Sequence, residues 1–125
     1  KLAKRLPVFP DIKNERSMLH IDNLCEFLSL LMERGEGGIY FPQNKSYVRT
    51  SRMVQMIGEV SGHKVRLTKL LNPAVRIAGK IPGKISGLVN KAFGNLVYEK
   101  EMSQCFGGKY QIRGLKDTIK RTEGE

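Results

Sequence analysis

The sequence predicts an α/β fold with a few mostly parallel strands and about five helices. Three observations lead there. A short apolar run, a periodic helix and a second apolar run follow one another between Ser17 and Pro42. A further amphipathic pattern starts at Thr50 and leads into the alternating Lys64-Val65-Arg66-Leu67. From Lys69 onward the chain consists of short basic amphipathic stretches, broken at Pro82-Gly83.

Taken in order, residues 1–15 form a basic entry segment in which Pro7 and Pro10 flank Val8 and Phe9 and favour extended backbone. Ser17-Met18-Leu19-His20-Ile21 suits a strand. Asp22 or Asn23 can then cap a helix, with Glu26 three residues after Asn23 in capping-box spacing. Leu24, Phe27, Leu28 and Leu31 repeat at helical intervals, and Gly35 closes the element. Gly38-Ile39-Tyr40-Phe41-Pro42 reads as a second strand with Tyr40 and Phe41 in the core, so strand, helix and strand suggest a parallel crossover. A second helix is expected from Thr50 to Ser61, capped by Thr50 or Ser51 and ended by Gly62. Its apolar face is Met53, Met56, Ile57 and Val60. Lys64 to Leu67 alternates as a half-exposed strand should. Short helices are expected over 72–81, 86–93 and 115–121, with Tyr110-Gln111-Ile112 extended.

The bulk numbers bound the class. At 125 residues, 40% hydrophobic and 27% charged, the chain can bury a modest core and is no disordered tract. Nothing approaches the roughly 18 consecutive apolar residues of a membrane span. The opening residues lack the apolar centre of a signal peptide. The absence of Met at position 1 adds to the expectation of a segment from a longer protein. Two cysteines make no disulfide framework and sit in no metal-ligand spacing. Cys25 is expected buried on a helix and Cys105 near a turn, and a reducing cytoplasmic location fits. The net charge of +10 is unevenly spread, with seven Lys or Arg and no Asp or Glu from Val60 to Tyr98.

No catalytic constellation is present. The chain has no GxGxxG or GxxGxxG turn, since Gly79, Gly83 and Gly87 are spaced by four. It has no phosphate-binding Walker loop, no GxSxG elbow and no zinc spacing. His20 and His63 share no cysteine or carboxylate cluster. Tyr40 and Lys45 are five apart across Pro42, so they cannot serve as a Tyr-x-x-x-Lys acid/base pair. The catalytic set of this chain is expected to be empty.

The stretch Arg16-Ser17-Met18-Leu19-His20-Ile21-Asp22-Asn23-Leu24 resembles a recurring segment of the NAD-dependent epimerase/dehydratase family, the extended short-chain dehydrogenases that act on UDP-sugars. In that family an arginine precedes a His/Tyr-Val/Ile-x-Asp run where the chain leaves the substrate lobe and enters a helix. Leu6-Pro7-Val8-Phe9 is similar to the segment whose backbone brackets the uracil ring. Gly38 to Phe41, Tyr47 to Gly62 and the tail from Tyr98 to Glu123 also resemble family segments, while 70–95 is weakest.

The resemblance implies that residues 1–125 are the C-terminal substrate-binding portion of such an enzyme, with a sub-boundary near 69 and the Rossmann cofactor half absent. NAD or NADP would be bound by the missing N-terminal half, with none on this chain. The reaction implied is epimerisation, dehydration or reduction of a nucleotide sugar, in cell-surface polysaccharide assembly. Arg16 would contact the pyrophosphate of a UDP-sugar, as a planar guanidinium suits; the alternative is a surface arginine paired with Glu15 or Asp11. Leu6, Val8 and Phe9 would lie at the base, with Phe9 either stacking or serving as a plain hydrophobic anchor. The family's Arg-x-Gly-Asp clamp after the strand at 64–67 is missing, and Arg66 or Arg76 would substitute. Asp22 and Asn23 read as helix caps, and His20 as a packed, hydrogen-bonded histidine.

The basic stretch has a competing reading. Its amphipathic helices either pack on the sheet with solvated lysines or lie on an anionic surface, as a non-catalytic module docking on membranes or anionic partners would. Nucleic acid is not an expected partner, because no aromatic residues interleave the basic run. A homodimer and a weak membrane-surface contact stay open beside the UDP-sugar.

Overall fold

A computed structural model describes residues 5–35 and 37–123. Among the described residues the chain is mixed α/β, with five α-helices and one two-stranded parallel sheet. The strands are β1 (Val8–Pro10) and β2 (Arg66–Thr68). The helices are α1 (Ile21–Arg34), α2 (Thr50–Val60), α3 (Asn72–Ala78), α4 (Lys84–Phe93) and α5 (Leu115–Glu123). In the sheet Val8 lies opposite Arg66, Phe9 opposite Leu67 and Pro10 opposite Thr68.

The parallel crossover therefore joins different segments from those expected. Neither 17–21 nor 38–42 is a strand. Before the first, Arg16 bridges Val48 on one side and Leu96 on the other, and Met18 and His20 then bond to Asn44, but no ladder forms. The second runs as irregular backbone with Ile39 87% exposed. Apolar alternation marks a side chain that needs cover, and says nothing of whether a partner backbone lies alongside. Here the cover comes from other elements: Tyr40 packs on Phe27 of α1 with ring centroids 5.6 Å apart, and Phe41 on Tyr98 at 5.3 Å. Tyr110 to Ile112 likewise makes no ladder.

Helix α1 follows its pattern, with Phe27 buried and Leu24, Leu30 and Leu31 against the same cluster. Leu28, expected on that face, is exposed. Cys25 is also exposed, contrary to expectation, because Asn23 and Phe27 set the inward face and position 25 is turned about 200° from position 23. The cap is neither Asp22 nor Asn23. His20 takes the role, its Nδ1 accepting from the Asp22 N–H at 3.2 Å. Gly35 ends the helix in the left-handed region, as expected, and its N–H donates to Leu31.

One core cluster centres on Phe27, Phe106 and Tyr110, whose rings meet Phe27 at 5.5 and 5.4 Å. Phe106 is held at φ 55°, where a non-glycine residue is strained, and Gly107 and Gly108 continue the left-handed turn. Burial of the ring, with the Arg34 guanidinium 5.1 Å above it, offsets that strain.

Helix α2 is covered on two sides. Ser51, Val54 and Gly58 are buried at i, i+3 and i+7 toward the sheet. The expected apolar residues Met53, Met56, Ile57 and Val60 instead face α5 and its clefts. Neither Thr50 nor Ser51 caps α2. The buried Asn14 accepts from the Thr50 N–H at 3.0 Å, while the Ser51 hydroxyl donates to the Pro10 carbonyl at 2.8 Å and ties the helix to β1.

Gly58 marks the closest approach of α2 to β2. A Cβ there would stand 2.5 Å from Cγ2 of the buried Val65 and 3.1 Å from the His63 carbonyl oxygen. An exposed helical Gly→Ala change stabilises by about 1 kcal/mol, whereas overpacking costs about 1–3 kcal/mol. Gly58→Ala is therefore expected to lower the urea midpoint, and a raised midpoint would refute the close contact.

Candidate functional site

Of the residues singled out for nucleotide binding, Leu6, Val8 and Phe9 lie on or just before β1, Arg66 lies on β2, and only Phe9 and Arg16 meet α4. Val8 and Arg66 face each other across the parallel ladder, both exposed, and Leu6 precedes them half-buried. Phe9 packs on Phe93, with ring centroids 5.7 Å apart and planes tilted by 38°. Arg16 sits half-buried at a three-way backbone junction. It exchanges N–H···O bonds with Val48 at 3.0 and 2.9 Å, while its neighbour Ser17 donates to Leu96 at 2.8 Å.

The Arg16 side chain reaches neither Glu15 nor Asp11. One guanidinium nitrogen, Nη1, donates to the Lys91 carbonyl in the last turn of α4. A cation there also meets the negative end of the helix dipole. Phe9 and Arg16 therefore converge on one helix end, which the sequence alone did not pair with either. A guanidinium has five N–H donors, so most remain for a further acceptor, an anion included.

Beneath this region lies a buried polar junction that sequence reasoning missed. Asn23 is fully buried and donates to Asn44 Oδ1 at 2.8 Å and to the Arg113 carbonyl at 3.2 Å, while its Oδ1 accepts from the Arg113 N–H at 2.8 Å. Asn44 Oδ1 also accepts from the His20 N–H at 3.0 Å. Gln43 accepts from the Ser17 hydroxyl at 2.6 Å and donates to the Tyr98 and Glu99 carbonyls. The Tyr110 hydroxyl donates to the Ser103 carbonyl at 2.7 Å and accepts from the Gln43 N–H at 3.2 Å. Asn and Gln in a loop ordinarily signal exposure, so nothing in the local pattern marks these as core.

An apolar cleft of about 370 Å³ opens between the segment 18–21, α2 and α5, lined by Met18, His20, Met53, Ile57, Leu115 and Ile119 among others. None of Leu6, Val8, Phe9, Arg16 or Arg66 lines it. His20 and Glu123 are the titratable groups that line it, and the His20 ring is committed to the α1 cap. Among the described residues no group of three or more His, Cys, Asp or Glu could hold a metal ion. Burial pushes the Cys105 thiol up, against smaller opposing hydrogen bonds from its own backbone and Tyr110, which leaves it a poor nucleophile.

No family model, curated protein or solved structure matches the chain.

The most polarised cluster is Asp22 with Arg113 and Arg121. Asp22 Oδ2 accepts from Arg113 Nε at 3.1 Å and Arg121 Nη1 at 2.5 Å, with His20 Nδ1 at 3.9 Å. Desolvation raises the carboxyl, but the Arg121 and Arg113 hydrogen bonds, with charge from Arg121 and His20, outweigh it and hold the group below its ordinary 3.8. The folded state thus favours the carboxylate. The resulting stability is present above the ordinary value and is lost as pH falls through the lowered one. Thermal unfolding of Asp22→Asn is expected to show a deficit at neutral pH that closes in strong acid, whereas a pH-independent gap would exclude the linkage.

Proposed function

We propose that this chain is the C-terminal, substrate-holding portion of an NAD(P)-dependent nucleotide-sugar epimerase, dehydratase or reductase of the extended short-chain dehydrogenase class. The observation that carries the reading is Arg16 and its setting. An arginine opens a nine-residue family-like segment, followed by extended backbone that enters a helix at Ile21. The same arginine meets the end of α4 where Phe93 packs on Phe9, within the segment resembling the family's base-bracketing stretch. The parallel pairing of Val8 with Arg66 adds a second guanidinium beside that stretch, in the strand after which the family's missing clamp would stand.

On this reading the chain binds and orients. Leu6, Val8 and Phe9 hold the uracil, and Arg16 forks onto the diphosphate, displacing or sharing its bond to the Lys91 carbonyl. Arg66 supplies the second positive charge. The dinucleotide and the Tyr/Lys pair belong to an upstream half, because this sequence has no glycine-rich dinucleotide turn and no Tyr-x-x-x-Lys.

Two measurements test this. The coding sequence upstream of Lys1 should carry a GxxGxxG turn and a Tyr-x-x-x-Lys pair, and a natural start at Lys1 would end the proposal. In the natural-length protein, Arg16→Ala should weaken UDP binding by calorimetry about 10- to 100-fold, the value of hydrogen bonds to a charged acceptor. Arg16→Lys should recover only part, since it keeps charge without the fork. Unchanged UDP affinity in a folded Arg16→Ala protein would remove Arg16 from the site.

A further inference from the structure

The α3–α4 hairpin is built inside out. The half-buried aliphatic residues of the two helices are the smaller ones, Val75 and Ala78 of α3 and Val89 and Ala92 of α4, with Ser86 beside them. The Ser86 hydroxyl donates to the Gly79 carbonyl at 3.0 Å, and a Cβ on Gly79 would stand 3.3 Å from Val89, so the two helices are locked closely together. Gly83, at φ 122°, makes the turn between them.

The large aliphatic residues point outward. Leu70 is 88% exposed and Leu88 67%, with Leu71, Ile77, Ile81 and Ile85 also exposed. Lys69, Arg76, Lys80, Lys84 and Lys91 alternate with them, all exposed. On α4, Lys84, Leu88 and Lys91 fall within about 60° of one another around the helix, and Ile85, in the exposed first turn, stands about 60° from Leu88. No Asp or Glu occurs from Val60 to Tyr98, so no residue of the segment itself neutralises the face.

We propose that this face docks on the surface of an anionic phospholipid bilayer, with α3 and α4 lying in the plane of the headgroups. Aliphatic residues would enter the acyl boundary while the lysine stems reach back to lipid phosphates. The helices span 7 and 10 residues, and none among the described residues is long and apolar enough to cross a membrane. The composition favours lipid over a protein partner. Cores of protein interfaces are enriched in aromatic residues and Arg and depleted in Lys, whereas four of these five cations are Lys and no exposed aromatic lies from Lys69 to Lys91. Membrane binding does not rest on the nucleotide-sugar reading, because no side chain of the face is assigned to UDP.

The test is co-sedimentation of the chain with phosphatidylcholine vesicles, with and without phosphatidylglycerol, at low and high salt. The chain is expected to sediment with the anionic vesicles only, and to be released by salt. Lys80→Gln with Lys84→Gln should lower partitioning by roughly five-fold per charge removed. Ile85→Ser with Leu88→Ser should lower it severalfold at fixed salt, with an unchanged circular dichroism spectrum. The Lys80→Gln, Lys84→Gln protein should keep the parent's UDP affinity in calorimetry on the natural-length protein, which keeps this outcome separate from that of UDP binding. Three results overturn the proposal: no sedimentation with anionic vesicles; binding indifferent to the serine pair and competed by inorganic pyrophosphate; or a dimer in solution, dissolved by the serine pair, without vesicle binding. The second would reduce the face to a simple anion site, and the third would assign it to a second copy of the chain.

Discussion

The fold depends on the side-chain amides of Asn23, Gln43 and Asn44. A sheet of two three-residue strands supplies few ladder bonds, so backbone groups of the long irregular stretches need other partners. Asn23 joins the first turn of α1 to Asn44 and to both backbone groups of Arg113. Gln43 links Ser17 to the carbonyls of Tyr98 and Glu99. Segments distant in sequence are thereby tied around one buried polar centre, with the Phe27–Phe106–Tyr110 cluster packed against it. A half-satisfied network of this kind would be worse than an apolar core. That explains the close fit of donors to acceptors here.

The same junction positions the arginine. Ser17 and His20 are held by Gln43 and Asn44, which leaves Arg16 at the point where three segments meet and its guanidinium at the end of α4. Asn14 works in parallel on the other side. It caps α2 and donates to the Thr50 hydroxyl, which in turn donates to the Ala92 carbonyl. Asn14 and Arg16, two residues apart at the close of the entry segment, are therefore both referenced to the C-terminal turn of α4. A substrate-binding role for Arg16 and a structural role for α4 are coupled through one carbonyl.

Charge and burial are divided unevenly along the chain. Acidic Asp22 collects Arg113 and Arg121 at the start of α1, while the segment from Val60 to Tyr98 holds its cations without a single acid of its own. The polar junction lies in the core, and the large aliphatic residues of α3 and α4, Ile77, Ile85 and Leu88, lie outside. That inversion separates the part of the molecule that holds itself together from the part that faces outward.

The helices follow from local signals in the chain. The spacing of Leu24, Phe27 and Leu31, the glycine after α1, the pattern from Thr50 to Val60 and the proline-glycine break before α4 are local signals, because helix hydrogen bonds close within four residues. The parallel arrangement was also legible as a class. Which strands pair was decided only in the tertiary structure: β1 found β2, while the apolar runs at 17–21 and 38–42 found side chains. Strand pairing depends on a partner far away in sequence, and a period of two carries no information about that partner. The caps moved for a similar reason. Asp22, Asn23 and Ser51 were each drawn to distant arginines, amides or carbonyls, and His20 and Asn14 took over the helix ends. Arg16 could be named from its neighbours in sequence, but its contact with α4 exists only because the chain returns there 75 residues later.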